Sequence, residues 1–140
     1  EEAAAPPARP QGEAEIAGVL APAVLRYLRS IGKAPLTAEI AVQKATIAGP
    51  KADRHAASGD ALAPQEWRAL PDLLAAPEAV LWDSDDDALV YVGAADERKL
   101  KVVVLLDFVY RGPKRLNIVR TALKRSAASL EAARYVRIGE

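Results

Sequence analysis

From Ile16 onward the apolar residues Ile16, Val19, Leu20, Ala23, Val24, Tyr27, Leu28 and Ile31 return at intervals of three and four, with Arg26 and Arg29 off the stripe. This spacing predicts an amphipathic helix over residues 13–33. Pro22 falls inside the stripe, so the helix should kink or restart there and end near Gly32. The preceding stretch, Glu1 to Gly12, is built of Ala, Pro and Glu without a large apolar residue. It has nothing to bury against the entropy of being ordered, so residues 1–12 read as a disordered linker.

Residues 34–140 read as one domain in which helical patterns give way to alternating ones. Ala38 to Val42 alternates weakly, with Ile40 and Val42 on one side, and predicts a short strand. Gly49-Pro50 can open a helix over Lys51 to Ala57 that carries His55, and Ser58-Gly59-Asp60 ends it. Pro64 to Ala76 reads as one or two short helices with Trp67, Leu70, Leu73 and Leu74 inward and a break at Pro71. Ala79 to Trp82 and Leu89 to Val92 form a hairpin around an Asp-rich turn. Leu100 to Tyr110 holds the run Val102-Val103-Val104-Leu105-Leu106, which predicts a central strand covered on both faces. Gly112-Pro113 turns the chain into a fourth strand, Leu116 to Thr121. Ser126 to Ala133 is helical or irregular, and Tyr135 to Ile138 closes an edge. Helices followed by strands predict an α+β fold, with N-terminal helices packed on a roughly four-stranded antiparallel sheet.

Composition narrows the chemistry. A chain of 140 residues with 51% apolar residues is about one domain with enough material for a core. The absence of cysteine excludes disulfides, thiolate metal sites and cysteine nucleophiles, and one histidine is too few for a self-contained zinc site. No apolar run approaches the roughly 18 residues of a membrane span, and the N-terminus lacks the pattern of a signal peptide. A chain that starts at Glu1 and has no methionine is expected to be part of something longer.

The net charge of zero conceals an asymmetry. From Arg98 onward eleven Lys or Arg face three acids, giving +8, which leaves eight cations and sixteen acids before it, giving −8. Either the basic half attracts an anionic polymer through counterion release, or the two halves neutralise one another in the fold.

The common catalytic signatures are missing: there is no Gly-rich phosphate loop, no Gly-x-Ser-x-Gly, no His-Glu-x-x-His and no zinc spacing. The cluster Asp83, Asp85, Asp86, Asp87 lacks the glycine and distant Glu of a calcium loop and reads as a solvated turn. His55 is the one side chain whose ordinary pKa suits proton transfer near neutrality.

A longer pattern follows it. After His55 come Leu62 and Glu66-Trp67-Arg68-Ala69-Leu70-Pro71-Asp72-Leu73-Leu74-Ala75-Ala76-Pro77-Glu78-Ala79-Val80, then Leu89-Val90-Tyr91-Val92, Lys101-Val102-Val103-Val104, Asn117-Ile118-Val119-Arg120-Thr121 and Tyr135. Over roughly residues 38–140 this resembles the phage-associated branch of the barnase, EndoU, colicin and RelE-like nuclease superfamily. Such domains lie in or beside head-morphogenesis proteins of Mu-like phages and prophages.

The resemblance implies a metal-independent ribonuclease without cofactors. In that chemistry a ribose 2′-hydroxyl attacks its own phosphate, leaving a 2′,3′-cyclic phosphate, and needs proton transfer and neutralisation of phosphoryl charge. On this reading His55 is base or acid, Lys101, Arg120 and Thr121 complete the catalytic set, and Asn117, Tyr135, Lys114 and Arg115 bind the substrate. Its partners would be RNA and an immunity protein, as befits a toxin acting in the bacterial cytoplasm. Two competing readings are a catalytically inactive module that docks on a phage structural protein in the particle and, less favoured, a DNA-binding module.

Overall fold

The computed structural model of the chain describes residues 14–43, 59, 61–111 and 114–138; at Tyr110, Arg111 and Lys114 it describes the backbone alone. The linker expected over 1–12, the helix expected over 51–57 and His55 itself lie outside the described residues.

Seven strands form one sheet: β1 (Ala14–Val19), β2 (Glu39–Gln43), β3 (Ala79–Asp83), β4 (Ala88–Ala94), β5 (Lys99–Arg111), β6 (Lys114–Arg125) and β7 (Tyr135–Arg137). Their spatial order is β1-β2-β6-β5-β4-β3-β7. Every neighbouring pair is antiparallel except β2 with β6, which is parallel. The helices are short: α1 (Pro22–Ser30), α2 (Pro64–Arg68) and α3 (Leu70–Ala75), with a 3-10 turn over Ala128–Glu131. The expected four-stranded antiparallel sheet under N-terminal helices is therefore wrong. The β3 to β6 meander is flanked by β7 on one side and by β2 and β1 on the other. A parallel pair joins segments far apart in sequence, so no local alternation announces it.

The helix expected over 13–33 is also corrected. Ala14–Val19 is a strand, and the helix starts only at Pro22, in its first turn. Pairing between β1 and β2 shifts register between Ile16 and Gly18, so Ile16 opposes Ala41 and Val19 opposes Glu39. That bulge inserts one residue and turns a spacing of two into three. Ile16 and Val19 therefore imitate one face of a helix while lying on an edge strand. Beyond Pro22 the helical reading holds, with Val24 and Leu28 buried. Gly32, at φ +84, ends α1, where Lys33 N–H bonds Leu28 O (2.8 Å) and Gly32 N–H bonds Arg29 O (3.1 Å). This pair of bonds is a Schellman motif, which a residue with a side chain would strain.

The main core lies between the helices and one sheet face. Leu20, Val24, Leu28, Leu70 and Leu74 pack on Ile40, Leu89, Tyr91, Val102, Val104 and Val119. Each such side chain contributes about 1.5–3 kcal/mol by leaving water. Helix α3 presses on the sheet so closely that a Cβ on Gly93 would lie 2.3 Å from Leu73 Cδ1. On the reverse face Leu81, Val90, Val92 and Val103 pack with Leu130 of the 3-10 turn, and Ala41, Leu116 and Ile118 form a separate cluster.

Candidate functional site

Alternation along β5 places Lys101 and Val103 on the reverse face, and Thr121 joins them because it pairs with Val103. Lys101 Nζ donates to Tyr135 Oη (2.8 Å) and stands 5.3 Å from the Tyr135 ring centroid. Arg134 approaches the same ring at 5.5 Å, so two cations contact one phenol. Arg120 is the extra residue of a second bulge, between Val119 opposite Val104 and Thr121 opposite Val103, and it is exposed.

The remaining sequence candidates lie elsewhere. Asn117 is 0% exposed; its Nδ2 donates to Thr37 O (2.7 Å) and Glu39 O (2.9 Å), and its Oδ1 accepts Asp107 N–H (3.2 Å). Both of its donors are engaged inside the fold, where they tie the start of β2 to β6 and to the irregularity in β5. Arg115 opposes Val109 near the far end of the β5–β6 hairpin, with Lys114 beside it opposite Arg111. Eight residues of strand separate Val109 from Lys101, roughly 26 Å. The structure thus brings Lys101, Tyr135 and Thr121 to one face, keeps Asn117 in the interior, and sets Arg115 and Lys114 at a distance.

Asp83, expected in a solvated turn, is instead buried at 1% exposure, and neither its partner Arg134 nor Tyr91 was singled out for a role of this kind in the sequence. Arg134 forms a fork on the buried Asp83, with Nε to Oδ1 at 2.9 Å and Nη2 to Oδ2 at 2.8 Å, and it also reaches Asp85 and Asp86. Burial opposes ionisation of Asp83, yet the Arg134 bonds and the backbone N–H groups of Asp86 and Asp85 outweigh it and lower the carboxyl below its usual range. An arginine occupies the middle of the aspartate turn, and no group of residues suited to a metal ion occurs among the described residues. Tyr91 is 2% exposed; its hydroxyl has no hydrogen-bond partner among the described residues, and burial pushes its pKa up to about 12. Nothing in a sequence marks either, because both depend on what the fold brings alongside.

The charge asymmetry is partly consumed internally. Lys99 pairs with Glu78 (2.7 Å), Lys124 with Glu66 (3.4 Å) and Asp96 (3.7 Å), and Arg134 with three aspartates of the β3–β4 turn. Each of these pairs joins the basic half to the acidic half.

No protein family matches the chain, and no solved structure matches it. The chain is 39% identical over 74 residues to "Putative capsid assembly protein F" of Escherichia phage Mu. The matched stretch is 52% of this chain and 17% of that protein, so the chain spans about a sixth of its relative. The phage association expected from the sequence stands on this match, and the nuclease part of that expectation gains nothing from it. No described helix is long and apolar enough to cross a membrane.

Proposed function

We propose that this chain is a non-catalytic interaction module of a phage head-assembly protein. The observation that carries the reading is the 39% identity to a phage Mu protein named for capsid assembly. Geometry supports it: of the residues a ribonuclease would use, Asn117 is engaged in holding strands together, and Arg115 lies roughly 26 Å along the sheet from Lys101. Neither of these two substrate-binding candidates can then contact an RNA phosphate held at Lys101.

The test is genetic and structural. Deleting the matched 74-residue stretch from the phage Mu protein should leave the protein in the cell but abolish normal heads under the electron microscope. Reinserting this chain's stretch should restore them. Normal heads after the deletion would overturn the reading.

A ribonuclease remains the second reading, favoured by one observation, the joined Lys101 and Tyr135 with Thr121 on the same face. End-labelled RNA incubated with the purified chain, with and without chelator, decides between them. Intact RNA is expected. Fragments ending in a 2′,3′-cyclic phosphate that disappear with Lys101→Ala would reinstate the enzyme.

A further inference from the structure

The two ends of β5 differ in chemistry. At its beginning, Leu100 and Gly93 of the neighbouring strand form, with Leu73 and Ala76 of the α3 region, the apolar floor of a cleft of about 500 Å³. The rim carries Glu66, Asp72 and Glu78, and no cation lines the cleft among the described residues. Glu66 and Glu78 are already paired with Lys124 and Lys99, while Asp72, exposed in the first turn of α3, has no ion-pair partner among the described residues. Gly93 keeps the floor open on the sheet side, since any larger residue there meets Leu73.

At its other end β5 runs past the rest of the sheet. Strand β4 pairs with β5 only as far as Val104, and β2 pairs with β6 only from Asn117 to Val119. Beyond Phe108 and Leu116, which are seated in a core cluster, the β5–β6 hairpin continues as a two-stranded arm that, among the described residues, pairs only with itself. From Val109 to Arg115 the arm includes Arg111, Lys114 and Arg115 and no acid. Val109, 52% exposed, lies directly opposite Arg115, so an apolar knob and a guanidinium share one face. Arg115 is exposed and reaches a backbone oxygen, that of Asp107 (3.3 Å).

Arm and cleft complement each other, the Val109 knob to the apolar floor and the exposed Arg115 guanidinium to the Asp72 carboxylate. They cannot meet within one molecule, because nine residues of strand, roughly 30 Å, separate Val109 from Leu100. We infer that the arm of one copy of this chain docks in the acid-rimmed cleft of a second copy, so that copies associate head to tail through Val109 and Arg115 on one side and Asp72 on the other. Taken in one direction such a contact is heterologous: each copy keeps one free arm and one free cleft, and the assembly propagates into rings or filaments, whereas a reciprocal exchange of arms would close as a dimer. This goes beyond the assembly reading, which binding to other head proteins alone would satisfy.

The experiment is sedimentation of the full chain over a range of concentrations in low and moderate salt, with circular dichroism on every variant. Wild type should form species larger than dimers at low salt and dissociate as salt screens the rim charges. Arg115→Glu and Asp72→Arg should each weaken association on the order of tenfold or more, with the milder Arg115→Gln and Asp72→Asn moving it the same way. The decisive sample mixes Arg115→Glu with Asp72→Arg. The first retains a working cleft and the second a working arm, and the two reversed sites attract one another, so the mixture should regain the species larger than dimers that neither variant forms alone. Wild type that stays monomeric at every concentration in low salt would overturn the inference. So would folded variants that associate as wild type does, a mixture that does not associate, or a mixture that stops at dimers, which would indicate a reciprocal, symmetric contact. These outcomes do not depend on head formation in the phage, so the two readings fail separately.

Discussion

At the scale of single residues the polar groups in the interior make the clearest statements. The Tyr91 hydroxyl is buried among apolar side chains and has no described partner. Removing an unsatisfied buried group of this kind relieves a desolvation cost of about 1–3 kcal/mol, offset by the small volume lost. Tyr91→Phe is therefore expected to leave the urea midpoint unchanged or raise it. The alkaline limb should shift as well. With the folded pKa raised to about 12 from an unfolded value near 10, stability is complete below about pH 10 and falls as pH rises toward 12. Tyr91→Phe removes that contribution, so a titration of stability from pH 9 to 12 should be flatter in the variant; parallel curves would refute the assignment.

Asp83 has the opposite sign. Its carboxyl is depressed in the fold, so its contribution is complete above the unfolded pKa of about 4 and is lost as pH falls below it. Arg134→Ala strands the buried carboxylate. The denaturant midpoint should fall clearly at pH 7, because the carboxylate stays buried without its charged partner. The difference between wild type and variant should shrink below pH 4, as measured by denaturant unfolding.

At the scale of elements, close contacts and bulges decide what pairs with what. Helix α3 reaches β4 over Gly93, where no larger side chain fits. Gly93→Val should cost about 1–3 kcal/mol through overpacking, read as a lower midpoint at unchanged slope. Asn117 plays the corresponding part for the parallel pair, since its amide bridges backbone groups of β2 and β5 from within β6. Asn117→Leu leaves those partners unsatisfied in the interior and should lower stability by at least about 2 kcal/mol. Retention of full stability would show that β2 docks on β6 without it. Much of this scale was legible beforehand. The hairpin around the Asp turn, the central run from Val102 and the edge strand at Tyr135 all follow from turn chemistry and alternation, whereas the break expected at Pro71 falls at Ala69, with Pro71 in the first turn of α3. The start of the chain was misread because a bulge in an edge strand produces the same spacing of three as a helix.

At the scale of the whole molecule one continuous sheet joins the acidic and basic halves, and ion pairs between them lie along its faces and end. Neither half has a core of its own, since α1 and α3 pack on the same strands as β5 and β6. Unfolding should therefore be a single transition. Fluorescence of Trp82 in the sheet and Trp67 on α2, each followed in a variant lacking the other, should report the same midpoint. Two separated midpoints would mean that the helical layer opens independently.

The sequence by itself determined the short-range features: which runs from Ala79 onward are extended, where proline and glycine stop them, that cysteine chemistry is excluded, and that charge is divided between the halves. These depend on side-chain properties repeated over a few residues. Tertiary structure alone decided the parallel β2–β6 pairing, the burial of Asn117, the capture of Asp83 by Arg134 and the separation of Arg115 from Lys101. Each of these joins residues distant along the chain, or sets their separation by strand length, and a local pattern carries no information about either.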